Sequence, residues 1–383
     1  MKIAIIILGS LGSLGLLVPS LSFAAADGPV RSSDDHIRLP GGKKAPRIPA
    51  PELPDALIPG TFQQNIDHSG QLTGEVFNQR YWVDSEYASQ TDDAPVLFHI
   101  CGEGDAEQGY FLKDNAIAWA KTLGAHLVYL EHRYYGQSLP FPDLSTEHLQ
   151  YLTLNNVIED LAAFQKWMTA NQGWKGKWIS IGGSYSGTIS AIYRQKHPEL
   201  VVGALAASAP MISGVGESTG TQNDVDSLSS TDPSSDTGDR QWVYQSCTTF
   251  GFWQADGPDV GATLENPSSW LCQQLFGNVA LVNSSTYNQN YDSPFISNST
   301  GAPSNILFTY GSEDIWTTIG LSQQTNSNSN ITIQVINGAG HHFDLNYPTS
   351  SDSSEVVNAR AEFVSLATKW IGASDAAESR SRN

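Results

Sequence analysis

The stretch Gly182-Gly183-Ser184-Tyr185-Ser186-Gly187 constrains this chain more than any other. Before it runs Trp178-Ile179-Ser180-Ile181, short, apolar and half β-branched, which predicts a buried strand. After it, Thr188-Ile189-Ser190-Ala191-Ile192-Tyr193 opens a helix that ends near His197-Pro198. A serine held where a strand turns so sharply into a helix tolerates only small residues two places to either side. Gly182 and Ser186 meet that demand, although the common pattern puts glycine at the second place.

Such a serine is the nucleophile elbow of α/β-hydrolases, and the rest of the chain alternates as that fold requires. Residues 62–68 and 74–83 predict a strand pair around Ser69-Gly70. Residues 96–101 read as a buried strand ending in Gly102-Glu103-Gly104-Asp105, 117–123 as a helix, and 127–130 as the next strand. Val157, Ile158, Leu161, Phe164, Trp167 and Met168 recur at helical spacing ahead of the elbow, and residues 202–207 form a further strand. Residues 306–310 and 331–336 are late strands, and 356–371 a closing helix. Strands alternating with helices mean a mostly parallel sheet covered on both faces.

Around this core, residues 1–26 predict a secretory signal: Lys2, an apolar run broken by Gly9, Gly12, Gly15 and Pro19, then Ala24-Ala25-Ala26. Residues 27–59 are a Pro-rich linker or pro-segment. The hydrolase core then occupies 60–213 and 305–372, interrupted by a cap insertion at 214–304, with a loose tail at 373–383. Within the insertion, 214–239 is almost all Ser, Thr, Asp and Gly, a composition that buries too little surface to order itself. Export implies a secreted protein, or one of a vacuole or lysosome-like compartment. It agrees with sequons at Asn283, Asn298 and Asn330 and with a disulfide between Cys247 and Cys272. Cys101, inside a strand, reads as a buried thiol. The net charge of −19 argues against nucleic acid or an anionic membrane as a partner.

Ser184 needs a base and an acid. Of nine histidines, His341 and His342 alone follow a late β-rich run through a glycine loop, and Asp314 directly follows the strand before it. Parallel strands carry their carboxyl ends to one edge, so these loops converge there. The order Ser184, Asp314, His341 is that of α/β-hydrolases: attack, orientation of the imidazole, proton transfer. The backbone N–H of Tyr185 and one from the loop at Gly102 are the candidate oxyanion hole. There is no His-x-x-x-His, no cysteine pair at zinc spacing and no phosphate loop, so the sequence calls for neither metal nor cofactor.

The chain resembles the S28 serine peptidases, the group of prolyl carboxypeptidase, dipeptidyl peptidase II and the thymus-specific serine protease. The resemblance lies in residues 62–68, Phe77-Asn-Gln-Arg-Tyr, Gly102-Glu-Gly-Asp, Glu131-His-Arg-Tyr-Tyr-Gly-Gln-Ser, Tyr151-Leu-Thr and Gly182-Gly-Ser-Tyr. It continues through Ser208-Ala-Pro, Gln241-Trp-Val-Tyr-Gln-Ser-Cys, Gly311-Ser-Glu-Asp-Ile-Trp and His341-His-Phe-Asp-Leu. It implies Ser184 as nucleophile, Asp314 as acid and His341 as base. It also implies a peptide substrate cleaved after proline, with Trp316 and His342 at the substrate. Three departures matter. The family's helical insertion after Ser-Ala-Pro gives way to residues 214–239, so neither exo- nor endo-cleavage carries over. Asn346 stands where prolyl carboxypeptidase has an arginine, and Ile315 replaces a proline. Two other readings fit the same fold: an ester hydrolase, and a secreted binding protein that has lost its activity.

Overall fold

The segments 96–100, 126–130, 178–183, 201–207 and 306–311 are buried almost from end to end, as strands covered on both faces must be. The computed structural model describes residues 56–109, 114–216, 228–235, 238–254, 267–321 and 327–372. The expected signal sequence at 1–26, the expected linker up to residue 55, positions 217–227 and 236–237 of the low-complexity stretch, and the expected tail lie outside these.

The core begins with β1 (Ile58–Asn65), β2 (Val76–Asp84) and β3 (Val96–Ile100), then α1 (Ala106–Gly109), α2 (Ala116–Leu123) and β4 (His126–Leu130). Next come α3 (Thr146–Leu149), α4 (Leu154–Gln172), β5 (Trp178–Gly183), α5 (Ser184–Lys196) and β6 (Val201–Ala207). The insertion holds β7 (Gly214–Gly216), α6 (Asp239–Gln245), a π-helical turn (Ser246–Phe250), β8 (Phe252–Gln254), α7 (Pro267–Phe276), α8 (Ser284–Tyr291) and α9 (Ser293–Ile296). β9 (Ile306–Gly311), β10 (Ile331–Ile336) and α10 (Ser354–Gly372) close the core.

Eight strands form one sheet in the order β1-β2-β4-β3-β5-β6-β9-β10. β1, β2 and β4 pair antiparallel, and from β4 to β10 every pairing is parallel. This is the α/β-hydrolase architecture. Side chains alternate as the pleat dictates. Val96, Phe98 and Ile100 of β3 face Leu161 and Phe164 of α4 and Ile189 and Ile192 of α5. Leu97 faces the other way, with Trp119 of α2 and Phe363 and Trp370 of α10. Both helix ends of α4 are closed: the Thr153 hydroxyl accepts from Asn156 N–H at 3.2 Å, and Gly173 takes a left-handed φ of 70°.

The chain leaves β3 for β4 on one side and returns to β5 on the other. The carboxyl ends of β3 and β5 therefore flank the switch point, where open α/β sheets leave a crevice. The loop at Gly102 follows β3, and Ser184 follows β5.

One expectation is corrected. Part of the stretch taken as unable to order itself is seated on the core. Gly214–Gly216 pairs with Phe252–Gln254, Leu228 is buried beside Leu144, Val243 and Leu275, and Leu144 N–H donates to Thr231 O at 2.9 Å. Its own composition supplies few apolar groups, so the rest of the insertion and the neighbouring core loops provide the burial. Asn283, Asn298 and Asn330 are all exposed. Among the described residues no helix is long and apolar enough to cross a membrane.

Candidate active site

Ser184 opens α5 with a left-handed φ of 56°, a conformation that residues with a Cβ rarely adopt and that clusters at functional sites. Steric limits build the turn. A Cβ on Gly182 would stand 2.1 Å from Ser186 O, and one on Gly183 2.6 Å from the Leu345 side chain. Ser186 is more than small. Its hydroxyl accepts from Gly183 N–H at 3.0 Å and donates to Gly183 O at 2.7 Å, bracing the residue before the nucleophile. The first amides of α5, Tyr185 N–H among them, have no partner within the helix and sit at its positive end.

Asp314 and His341 come together from loops after β9 and β10. His341 Nδ1 lies 2.9 Å from Asp314 Oδ1, which also accepts Trp316 N–H at 3.0 Å. A carboxylate accepts only, so Nδ1 carries the proton and Nε2 is left as the basic nitrogen. Burial works to raise the Asp314 pKa. The His341 hydrogen bond and charge, the Ser208 hydroxyl and Trp316 N–H outweigh it and hold the carboxyl below its usual value. No hydrogen bond joins Ser184 Oγ to a described residue.

No sequence motif points to the polar chain beneath Tyr185. Tyr135 donates its hydroxyl to Gln245 Oε1 at 2.7 Å, and Gln245 Nε2 donates to the Tyr185 hydroxyl at 2.7 Å. The Tyr185 hydroxyl in turn lies 3.3 Å from His132 Nε2. His132 Nδ1 faces the Arg133 carbonyl at 2.7 Å, which fixes the proton on Nδ1 and leaves Nε2 to accept. Burial drives the His132 pKa down to about 4, so the ring is neutral and every member is satisfied. Two runs quoted above only for resemblance, at 131–138 and 241–247, thus meet under the residue beside the nucleophile. Trp242 and Phe250 pack on the Tyr185 ring, at centroid distances of 5.8 and 5.1 Å.

The loop after β3 is held by Glu131, which is fully buried. Its carboxylate accepts from Arg80 Nε at 2.9 Å, Ser138 Oγ at 2.6 Å, Gln137 N–H at 3.1 Å and Ala106 N–H at 3.2 Å. The last of these pins the chain four residues beyond Gly102. Gly102 itself is buried at the head of this loop, and Gly104 N–H donates to its carbonyl at 3.0 Å.

Trp316 is only 9% exposed and packs in the main core cluster. His342, at φ 34°, is buried, with its ring 4.5 Å from that of His341 and over Gly183. Asn346 departs from the arginine of prolyl carboxypeptidase noted above, and Arg360 of α10 reaches the same loop and donates to the carbonyls of Asp344 and Asn346 at 2.9 and 2.7 Å. Cys247 and Cys272 form a disulfide with Cα atoms 5.9 Å apart, tying the π-helical turn to α7. Cys101 is a buried free thiol.

The sheet order, the strained serine turn and an Asp–His pair at the same sheet edge define an α/β-hydrolase. The family model for serine carboxypeptidase S28 matches residues 64–218 and 215–363, and the chain belongs to that family. It is 43% identical over 157 residues to human lysosomal Pro-X carboxypeptidase, covering 39% of this chain and 31% of that protein. It is 35% identical over 154 residues to the mouse thymus-specific serine protease, covering 40% and 30%. The match thus spans less than a third of either relative's length. Among solved structures, an esterase from Pseudomonas putida ECU1011 aligns with a TM-score of 0.47 and 16% identity over 83% of this chain and 84% of that one.

Proposed function

We propose that this protein is a secreted serine peptidase that cleaves peptide bonds after proline, through an acyl-enzyme formed on Ser184. The observation that carries the reading is the 2.9 Å pairing of His341 with Asp314 at the sheet edge that also carries the Ser184 turn. In this scheme His341 Nε2 takes the Ser184 proton as Oγ attacks the scissile carbonyl. Asp314 holds the imidazole and stabilises its charged form, and the proton passes to the leaving amine. Water then repeats the sequence to release the acid. Tyr185 N–H and a donor near Gly102 receive the negative charge on oxygen. The Ser184–His341 contact forms with substrate in place, since catalytic hydrogen bonds commonly tighten only then. Specificity for proline rests on membership of the S28 family and on the printed name of the Pro-X carboxypeptidase relative. Export rests on the sequence of residues 1–26 and on the exposed sequons.

A fluorophosphonate probe tests the nucleophile, with tryptic mapping to the peptide that contains Ser184. Chromogenic peptides with proline before the scissile bond test the specificity. Labelling of Ser184 with no turnover of any proline peptide refutes the specificity, and turnover of short acyl esters alone assigns the site to ester hydrolysis. Absence of labelling in the folded protein favours a binding protein on this fold.

A further inference from the structure

We propose that Ser208 is a positioning residue for the acid–base pair, its single hydroxyl bracing the loop of the two histidines while facing the Asp314 carboxylate. The inference rests on the assignment of Asp314 and His341 made above. Ser208 directly follows β6, which lies between the elbow strand and the strand that leads to the acid, and it is 1% exposed. Its φ of 49° is left-handed, a conformation that persists in a residue with a Cβ only where the surroundings impose it. Its own N–H donates to Thr309 O at 2.6 Å, on the strand that Asp314 follows.

The hydroxyl inventory points to the role. Ser208 Oγ accepts from His342 N–H at 2.7 Å, which fixes the backbone directly after His341. That leaves the hydroxyl proton to be donated. Asp314 Oδ1 is used by His341 and Trp316 N–H, whereas Oδ2 is buried with no hydrogen bond of ordinary geometry. Buried carboxylate oxygens are satisfied in native proteins. The Ser208 hydroxyl is among the groups that favour the ionised form of Asp314. One small side chain would then fix the acid and the base loop relative to each other, which alanine or glycine cannot do.

The test uses the full chain with Ser208→Gly and Ser208→Ala, reading the second-order rate of fluorophosphonate labelling at Ser184 against pH. Ser208→Gly accepts the left-handed backbone, so it carries the test even where Ser208→Ala folds poorly. Loss of a hydrogen bond to a charged group predicts labelling slower by about tenfold or more. Without the hydroxyl to share its charge, Asp314 holds the His341 imidazolium more tightly. The acidic limb of the profile therefore moves up, by up to about one pH unit. A structural role alone lowers the folded fraction, read by urea melts, and leaves the limb where it is. An unmoved limb in the folded variants overturns the proposal, as does a wild-type labelling rate. If the wild-type protein takes no label at Ser184, the catalytic assignment fails and this inference with it.

Discussion

Gly182→Ala is the sharpest single probe of the serine turn. The added Cβ would lie 2.1 Å from Ser186 O, 2.3 Å from Ser186 C and 2.8 Å from Gly187 N, all backbone atoms. Ordinary contact begins at 3.4 Å, so the first turn of α5 must retreat from β5 by about 1.3 Å. No rotamer change relieves this, because neither partner is a side chain. Forced overpacking costs about 1–3 kcal/mol, and a backbone clash falls at the upper end or above. A misplacement of about 1 Å at a reacting group costs on the order of 100-fold in rate. The expected outcome is urea unfolding that shows about 3 kcal/mol less stability, with fluorophosphonate labelling slowed about 100-fold. Gly372→Ala is the control, since its Cβ meets nothing within 4 Å, and it should stay within about 0.5 kcal/mol of wild type. Native stability together with native labelling in Gly182→Ala would refute the steric account of the elbow.

Three further outcomes follow from buried groups. Asp160→Asn leaves Arg133, which donates to both Asp160 oxygens and to the carbonyls of Ile66, Tyr151 and Asn65, without its countercharge. Urea unfolding should show a loss of about 3–5 kcal/mol, and a loss below 1 would contradict the pairing. Replacing Cys247 and Cys272 by serine removes a cross-link between residues 25 apart, and should cost roughly 3 kcal/mol with loosening of the insertion in hydrogen exchange. His132 has its folded pKa lowered to about 4 from 6.5. The unfolded chain therefore binds this proton first as pH falls, and the folded state loses stability between pH 6.5 and 4, with no further loss below. A His132→Gln variant should show a stability–pH slope shallower by about one proton in that window, and equal slopes would exclude a neutral buried ring.

The strands and the long helices were legible because their signals are local. β3, β5, β6, β9 and β10 are short apolar runs bounded by turn residues, and their observed limits fall within two residues of the expected ones. The elbow was legible because a sharp strand-to-helix turn excludes bulk at fixed offsets. Chain order together with parallel strands singled out Asp314 and His341. The insertion was not legible. Leu228 and Gly214–Gly216 sit in a polar stretch whose burial comes from Leu144, Val243 and β8, distant in sequence. The brace by Ser186 and the chain from Tyr135 through Gln245 and Tyr185 to His132 escaped the reading for the same reason. A hydroxyl or amide has no periodicity, and its partner is set by three-dimensional approach.

By itself, then, the sequence determined an alternating α/β core, a serine on a turn that admits only small neighbours, and which loops share its edge of the sheet. Period and sterics act over a few residues, and the rules of parallel sheets extend them to the whole edge. Only the tertiary structure decided what surrounds those groups. It packed Trp316 in the core cluster, set Arg360 against the loop where residue 346 lacks an arginine, and brought the Ser208 hydroxyl to the N–H of His342. These contacts join residues up to 134 positions apart. They depend on packing in three dimensions, where a shift of 1 Å makes or breaks a hydrogen bond.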